Sequence, residues 1–147
     1  MAITDWIQSL AIVVSILIAA WQLREQSRHS RAAADMALIA KFDEVNKILI
    51  EYPETWARLQ DEYDGESNDP TLGRLDTVVF MTFNTLELAR RHYRKYQLIS
   101  EKEWPAWEVS VDMWLSKRFV RGWWRTNSRE YGVEFREYVD ERAAKLS

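Results

Sequence analysis

No Gly or Pro occurs before Pro53. These are the two residues that most readily end or kink a helix, so their absence over so long a stretch favours one unbroken helix to about Glu51. The stretch opens on "DWIQSLAIVVSILIAAWQLR", Asp5 to Arg24, whose middle is almost wholly apolar. As a helix, Ile3 to Leu23 runs about 31 Å at about 1.5 Å per residue. That matches a bilayer hydrocarbon core of about 30 Å.

Three readings of this stretch compete: a membrane span, a cleaved signal peptide and a buried core helix. A signal peptide should open with Lys or Arg and close on a small-x-small cleavage site. Met-Ala-Ile-Thr-Asp opens this chain instead, and Trp-Gln-Leu-Arg follows the apolar run. Trp6 and Trp21 stand where amphipathic rings lie at the two headgroup levels. Every Lys and Arg of the chain falls at or after Arg24. With Arg24, Arg28 and Arg31 just past the span, the positive-inside bias puts the N-terminus outside and the rest in the cytoplasm. The expected organisation is an anchor over residues 1–23 and a cytoplasmic helical domain over residues 24–147.

One side of the expected span differs from the other. Gln8, Ala11, Ser15, Ala19 and Gln22 recur at steps of three and four, within an arc of about 80°. Small residues at that spacing let helices approach closely, and Gln can hydrogen-bond across the contact. This side reads as a packing seam for another transmembrane helix, from a second copy or a partner subunit. In a lone anchor the same residues would merely be tolerated.

The rest of the chain is helical in period. Leu38, Phe42, Val45, Leu49 and Tyr52 repeat at four and three, flanked by Ile39 and Ile48, as an amphipathic stripe. Pro53 suits the first turn of a short helix, "PETWARLQDEY". "DGESNDP" is a loop by its turn residues. Leu72, Leu75, Val79, Thr82, Leu86, Ala89, Tyr93 and Tyr96 then form one continuous seam. Ser100 and Glu103 read as a capping box for a helix whose face carries Trp104, Trp107, Val111, Trp114 and Leu115. A shorter helix over about Phe119 to Arg125 and a last one from about Val133, with Phe135, Val139 and Ala143 inward, complete the chain. No run alternates as a strand. The fold class is all-α: one span continuing into a bundle of four or five helices.

Composition removes several chemistries. There is no Cys and there are only two His, so thiol chemistry, Cys-based zinc and His-rich metal sites are excluded. The 20 Lys and Arg are offset by 23 Asp and Glu, which argues against nucleic acid as the main partner. No phosphate loop, nucleophile elbow or His-Glu-x-x-His pattern is present. No cofactor is expected. Asn84, Glu87 and Arg91 form a polar cluster beside the long seam; an ion pair fixing helix register is favoured over a functional site. Trp104, Trp107, Trp114, Trp123 and Trp124 crowd into one region and offer an interaction surface or cofactor cage. Core packing explains them more simply, since Trp buries a large area and needs one partner for its N–H.

Several segments together carry a resemblance: the N-terminal span, "LREQSRHSRAAADMALIAKFDEVNKIL", "FNTLELARRHYRKYQLISEKEWPAW", "VRGWW" and "EFREYVDE". The chain resembles a group of small bacterial membrane-anchored proteins known only as domains of unknown function. Those proteins similarly show Phe-Asn-x-x-Glu in a long helix, Leu-Ile-x-x-x-x-Trp, a Trp-Trp pair and a terminal Phe-Arg-x-Tyr-Val. The resemblance implies a bacterial inner-membrane setting and a shared helical fold, and no activity. Where those relatives turn on Pro-Gly before the Trp pair, this chain has Arg118-Phe119.

The expected function is a membrane-anchored, non-enzymatic interaction protein, as an accessory or scaffold subunit of an inner-membrane assembly or as a homo-oligomer. The alternative is a regulatory module relaying a signal along the helix that leaves the membrane. A third reading is an enzyme acting on lipid or on a small molecule in the bundle, with Glu87 as its one acid.

Overall fold

The computed structural model describes residues 3–60 and 70–146, with side chains described from residue 12 in the first stretch and from residue 71 in the second. All the regular structure in them is helical: α1 Ile3–Glu51, α2 Pro53–Gln60, α3 Pro70–Arg94, α4 Trp104–Leu115, α5 Arg118–Asn127, a 3-10 turn Ser128–Glu130, and α6 Val133–Lys145. The chain divides into two compact units, Met1–Met36 and Ala37–Ser147. The division falls after Met36, beyond the boundary at Leu23 that hydropathy suggests.

The first unit is helical from Ile3 onward. Its described apolar side chains are uncovered: Ile12, Val13, Val14, Ile16, Leu17, Ile18, Trp21 and Leu23 are all exposed. Among the described residues no helix is long and apolar enough to cross a membrane. Trp6, Gln8 and Ala11 of the expected span lie outside the described side chains.

In the second unit the last turns of α1 bury Leu38 and Val45 and half-bury Phe42, Ile48 and Leu49. Ile39 falls outside this stripe and is 61% exposed. The helix ends where it must. Tyr52 N–H still reaches the Ile48 carbonyl at 2.9 Å, but the residue before a proline is pushed out of helical backbone. Pro53 then opens α2, where Glu54 carries the acid that favours a helix N-terminus. The expected loop from Asp64 lies outside the described residues.

The central element is α3, which packs against α2, α4 and α5. Leu75, Val79, Thr82, Leu86 and Ala89 are buried along the expected seam. Val78 and Phe83 are buried as well, because a helix covered on several sides needs a wider apolar arc than one stripe. Thr82 and Thr85 satisfy their hydroxyls within the helix, donating to the Val78 and Met81 carbonyls at 2.8 Å each. The seam stops sooner than its period suggests. The chain leaves α3 after Arg94 through Gln97, whose φ of 52° is left-handed. Leu98 N–H then closes on the His92 carbonyl at 2.8 Å. Tyr96 consequently lies beyond the helix, 51% exposed.

The Ser100–Glu103 pairing forms as half of a capping box. Glu103 Oε2 accepts from Ser100 N–H at 2.8 Å and from Ser100 Oγ at 2.6 Å. The hydroxyl is therefore turned to the carboxylate rather than to a helix amide, and α4 proper begins at Trp104. Phe83 centres the core beyond it. Its ring stacks on Trp124 at 4.9 Å and meets Trp123, Tyr131 and Phe135 at 5.8, 6.3 and 6.5 Å.

Candidate functional site

The tryptophans are placed first by burial. Trp104, Trp114, Trp123 and Trp124 are buried and Trp107 is half-buried against Phe42 at 5.7 Å. Their rings build the core, so they do not form a shared exposed surface. A buried indole needs an acceptor for its N–H, and three of these find a carboxylate. Trp104 donates to Glu108 at 3.1 Å, Trp124 to Asp140 at 2.7 Å, and Trp123 to Asp76 at 2.5 Å.

Glu108 also joins a cross-helix network. Arg142 of α6 grips Asp112 of α4 with two nitrogens, one of them Nε to Oδ1 at 2.8 Å, and stands 3.4 Å from Glu108. The hydrogen bond to Asp112 holds the guanidinium's pKa above its usual value. Beside it, Arg90 lies over the rings of Tyr138 at 4.1 Å and Trp104 at 5.1 Å and pairs with Glu134 at 2.9 Å. Burial pushes the Tyr138 phenol up, with Glu108 adding to it. All of these charges are matched within the bundle, as registration between α3, α4 and α6 requires.

The polar cluster of α3 is only partly drawn together. Glu87 pairs with Arg91 at 3.0 Å and accepts the Gly132 backbone N–H at 3.0 Å. Asn84 is exposed. Glu87 thus ties α3 to the residue that starts α6, where a carboxylate also complements the helix dipole.

What the tryptophans leave open is a groove between α3 and α5, of about 740 Å³, that residue spacing did not single out. Leu72, Phe119 and Trp123 supply its apolar lining, and Arg118 and Arg125 are its cations. Among the described residues its one carboxylate, Asp76, is committed to the Trp123 N–H. Gly73 and Gly122 stand on its opposite helices, and a Cβ on either would meet nothing within 4 Å among the described residues. Neither has positive φ. Among the described residues, packing and backbone geometry account for neither glycine, and glycine inside a helix costs about 0.5–1 kcal/mol relative to alanine. Two helical glycines in so glycine-poor a chain were the available sequence signal. A smaller groove of about 380 Å³ runs between α1, α2 and α4, lined by Phe42, Val45, Leu49, Trp56, Met113 and Trp114.

Among the described residues no group of three or more acidic or His side chains is placed to hold a metal ion. The two grooves differ in lining, one cationic and aromatic, the other apolar. No family model, curated protein or solved structure matches the chain.

Proposed function

We propose that the protein is a membrane-anchored, non-enzymatic interaction protein, an accessory or scaffold subunit of an inner-membrane assembly or a homo-oligomer. The observation that carries this is the uncovered apolar run on α1. From Ile12 to Leu23 large apolar side chains are exposed around about two-thirds of the helix, all but the side of Ser15, Ala19 and Gln22, a wider face than the single apolar stripe of an amphipathic helix. Burying each is worth roughly 1.5–3 kcal/mol, so a bilayer is the surrounding that suits them. Arg24, Arg28 and Arg31 then set the orientation, with the N-terminus outside and the bulk of the chain cytoplasmic. The bacterial setting rests on the family resemblance. Ser15, Ala19 and Gln22 on α1, with Gln8 and Ala11, are the proposed seam for a second helix.

The α3–α5 groove supports the interaction role, because its two cations and aromatic lining suit an acidic, partly apolar partner segment. The unbroken α1, Ile3–Glu51, favours one second reading, a relay in which a change in the membrane reaches the bundle through a stiff helix.

Alkaline extraction of membranes from cells producing the full chain tests the anchor, which should stay in the pellet. Cross-linking through Ser15→Cys should give a dimer or a defined adduct. Release by alkali would overturn the anchor, and monomer alone would overturn the seam. For the relay, a Gly-Pro insertion near Ser27 should abolish the phenotype at unchanged expression; an unaltered phenotype would remove it.

A further inference from the structure

We propose that α1 carries, directly beyond its apolar run, a binding site for the phosphate of an anionic phospholipid, built from Arg24, Ser27, Arg28 and Arg31 beside Trp21. The proposal rests on reading α1 as an anchor. These residues line one recess along the helix, of about 640 Å³, with Glu25 as its acid. At about 100° per residue the three arginines fall within an arc of about 60°. Glu25 lies 3.4 Å from His29 Nε2 and 4.0 Å from Arg28, so it offsets one of the three site cations. Among the described residues neither Arg24 nor Arg31 is paired with a carboxylate.

The direction of the side chains decides what these cations reach. On an α-helix every Cα–Cβ bond tilts toward the N-terminus. In α1 the N-terminal side is the apolar run, so the arginines lean back toward it and toward the headgroup layer. Arg24 to Arg31 spans about 10 Å of helix, against a headgroup region of roughly 5–8 Å on each side of the core. Long guanidinium stems cover the difference by lying along the surface. Asp35, the next acid on this side, stands about 16 Å beyond Arg24 and past that layer. Guanidinium forks match phosphate oxygens. Trp21, 66% exposed, offers the adjoining apolar contact that an acyl-linked phosphate has and a free phosphate lacks.

The test uses full-length protein in mild non-ionic detergent, titrated with phosphatidylglycerol or phosphatidylcholine and read by native mass spectrometry. Detergent removes any dependence on insertion topology. Wild type should retain phosphatidylglycerol well over phosphatidylcholine. R24Q/R28Q/R31Q should lose about 100-fold of that affinity, at about fivefold per arginine, with phosphatidylcholine unchanged. Inorganic phosphate should displace no more lipid than potassium chloride of equal ionic strength. Equal retention of the two lipids by wild type, or unchanged retention by the triple variant, overturns the site. Specific displacement by inorganic phosphate overturns the lipid in favour of a soluble anion. Alkaline extraction separates the two readings. A chain that stays in the membrane without lipid preference loses only this site, whereas a chain released by alkali loses the anchor and the site together.

Discussion

The backbone N–H of Gly132 donates to Glu87 Oε1 at 3.0 Å, and a Cβ added to Gly132 would stand 3.0 Å from that same oxygen. The close approach, and not backbone angle, is what calls for glycine here, since Gly132 has φ −60°. Gly132→Ala should therefore destabilise by about 1 kcal/mol, as the carboxylate shifts and the hydrogen bond weakens. Glu87→Ala should lose more, about 1.5–3 kcal/mol, because a bond to a charged acceptor goes with the Arg91 pair. Denaturant unfolding of both variants checks this. Stability unchanged in Glu87→Ala would show that the α3–α6 tie contributes nothing.

Gly73 and Gly122 should behave in the opposite way. Alanine at either adds a Cβ into open groove and removes a helix-interior glycine. Each change should stabilise by about 0.5–1 kcal/mol, with Gly122 giving the larger gain because Gly73 lies in the first turns of α3. Thermal melts of the two single variants would show rises of a few degrees, about 4 °C or more per kcal/mol. A fall in melting temperature would mean that something already occupies the groove.

Tyr131 has a buried hydroxyl with no hydrogen-bond partner among the described residues. Burial pushes its phenol up, with Glu130, Glu87 and Asp76 adding to it. Tyrosine ionises near pH 10 when exposed, so above about pH 10 the unfolded chain releases protons that the folded one keeps. Stability from this group is complete below about pH 10 and declines as pH rises. Tyr131→Phe should make the alkaline decline shallower and, by removing an unsatisfied polar atom, add about 1 kcal/mol at neutral pH. Tyr138, raised the same way, should keep part of the slope. A less stable Tyr131→Phe would show that the hydroxyl is bonded after all.

Arg142 and Asp112 should be energetically coupled. Their paired contact is about four-fifths shielded on the Arg142 side, where water screens less than at a surface. A double-mutant cycle with Arg142→Ala and Asp112→Ala should give about 1–2 kcal/mol of interaction, above the roughly 0.2–1 kcal/mol of exposed pairs. Additive single effects would reduce the network to incidental surface charge.

Much of the helical layout was legible because its signals are local. The lack of breakers before Pro53, the three-four recurrence through Leu75, Val79, Leu86 and Ala89, and the stops near Glu51 and Gly132 each depend on neighbours within a turn or two. Phe83 was missed although it centres the core. It sits one residue from Thr82 of the seam, and only packing from several sides brings both inward. Tyr96 was misplaced for a related reason: its period is right, but Gln97 has already turned the chain out of the helix.

The candidate site was hardly legible. Trp123 and Asp76 are 47 residues apart, and Glu87 and Gly132 are 45 apart. No spacing rule joins such pairs, because their meeting depends on how α3, α5 and α6 cross. The amino-acid order determined where helices run and where they stop, since backbone hydrogen bonding and periodicity are short-range. Tertiary packing decided that the tryptophans turn inward onto carboxylates, that Glu87 holds a turn, and that two glycines face an open groove. Those outcomes follow from which surfaces are buried together, a property of helices in contact and not of any one of them.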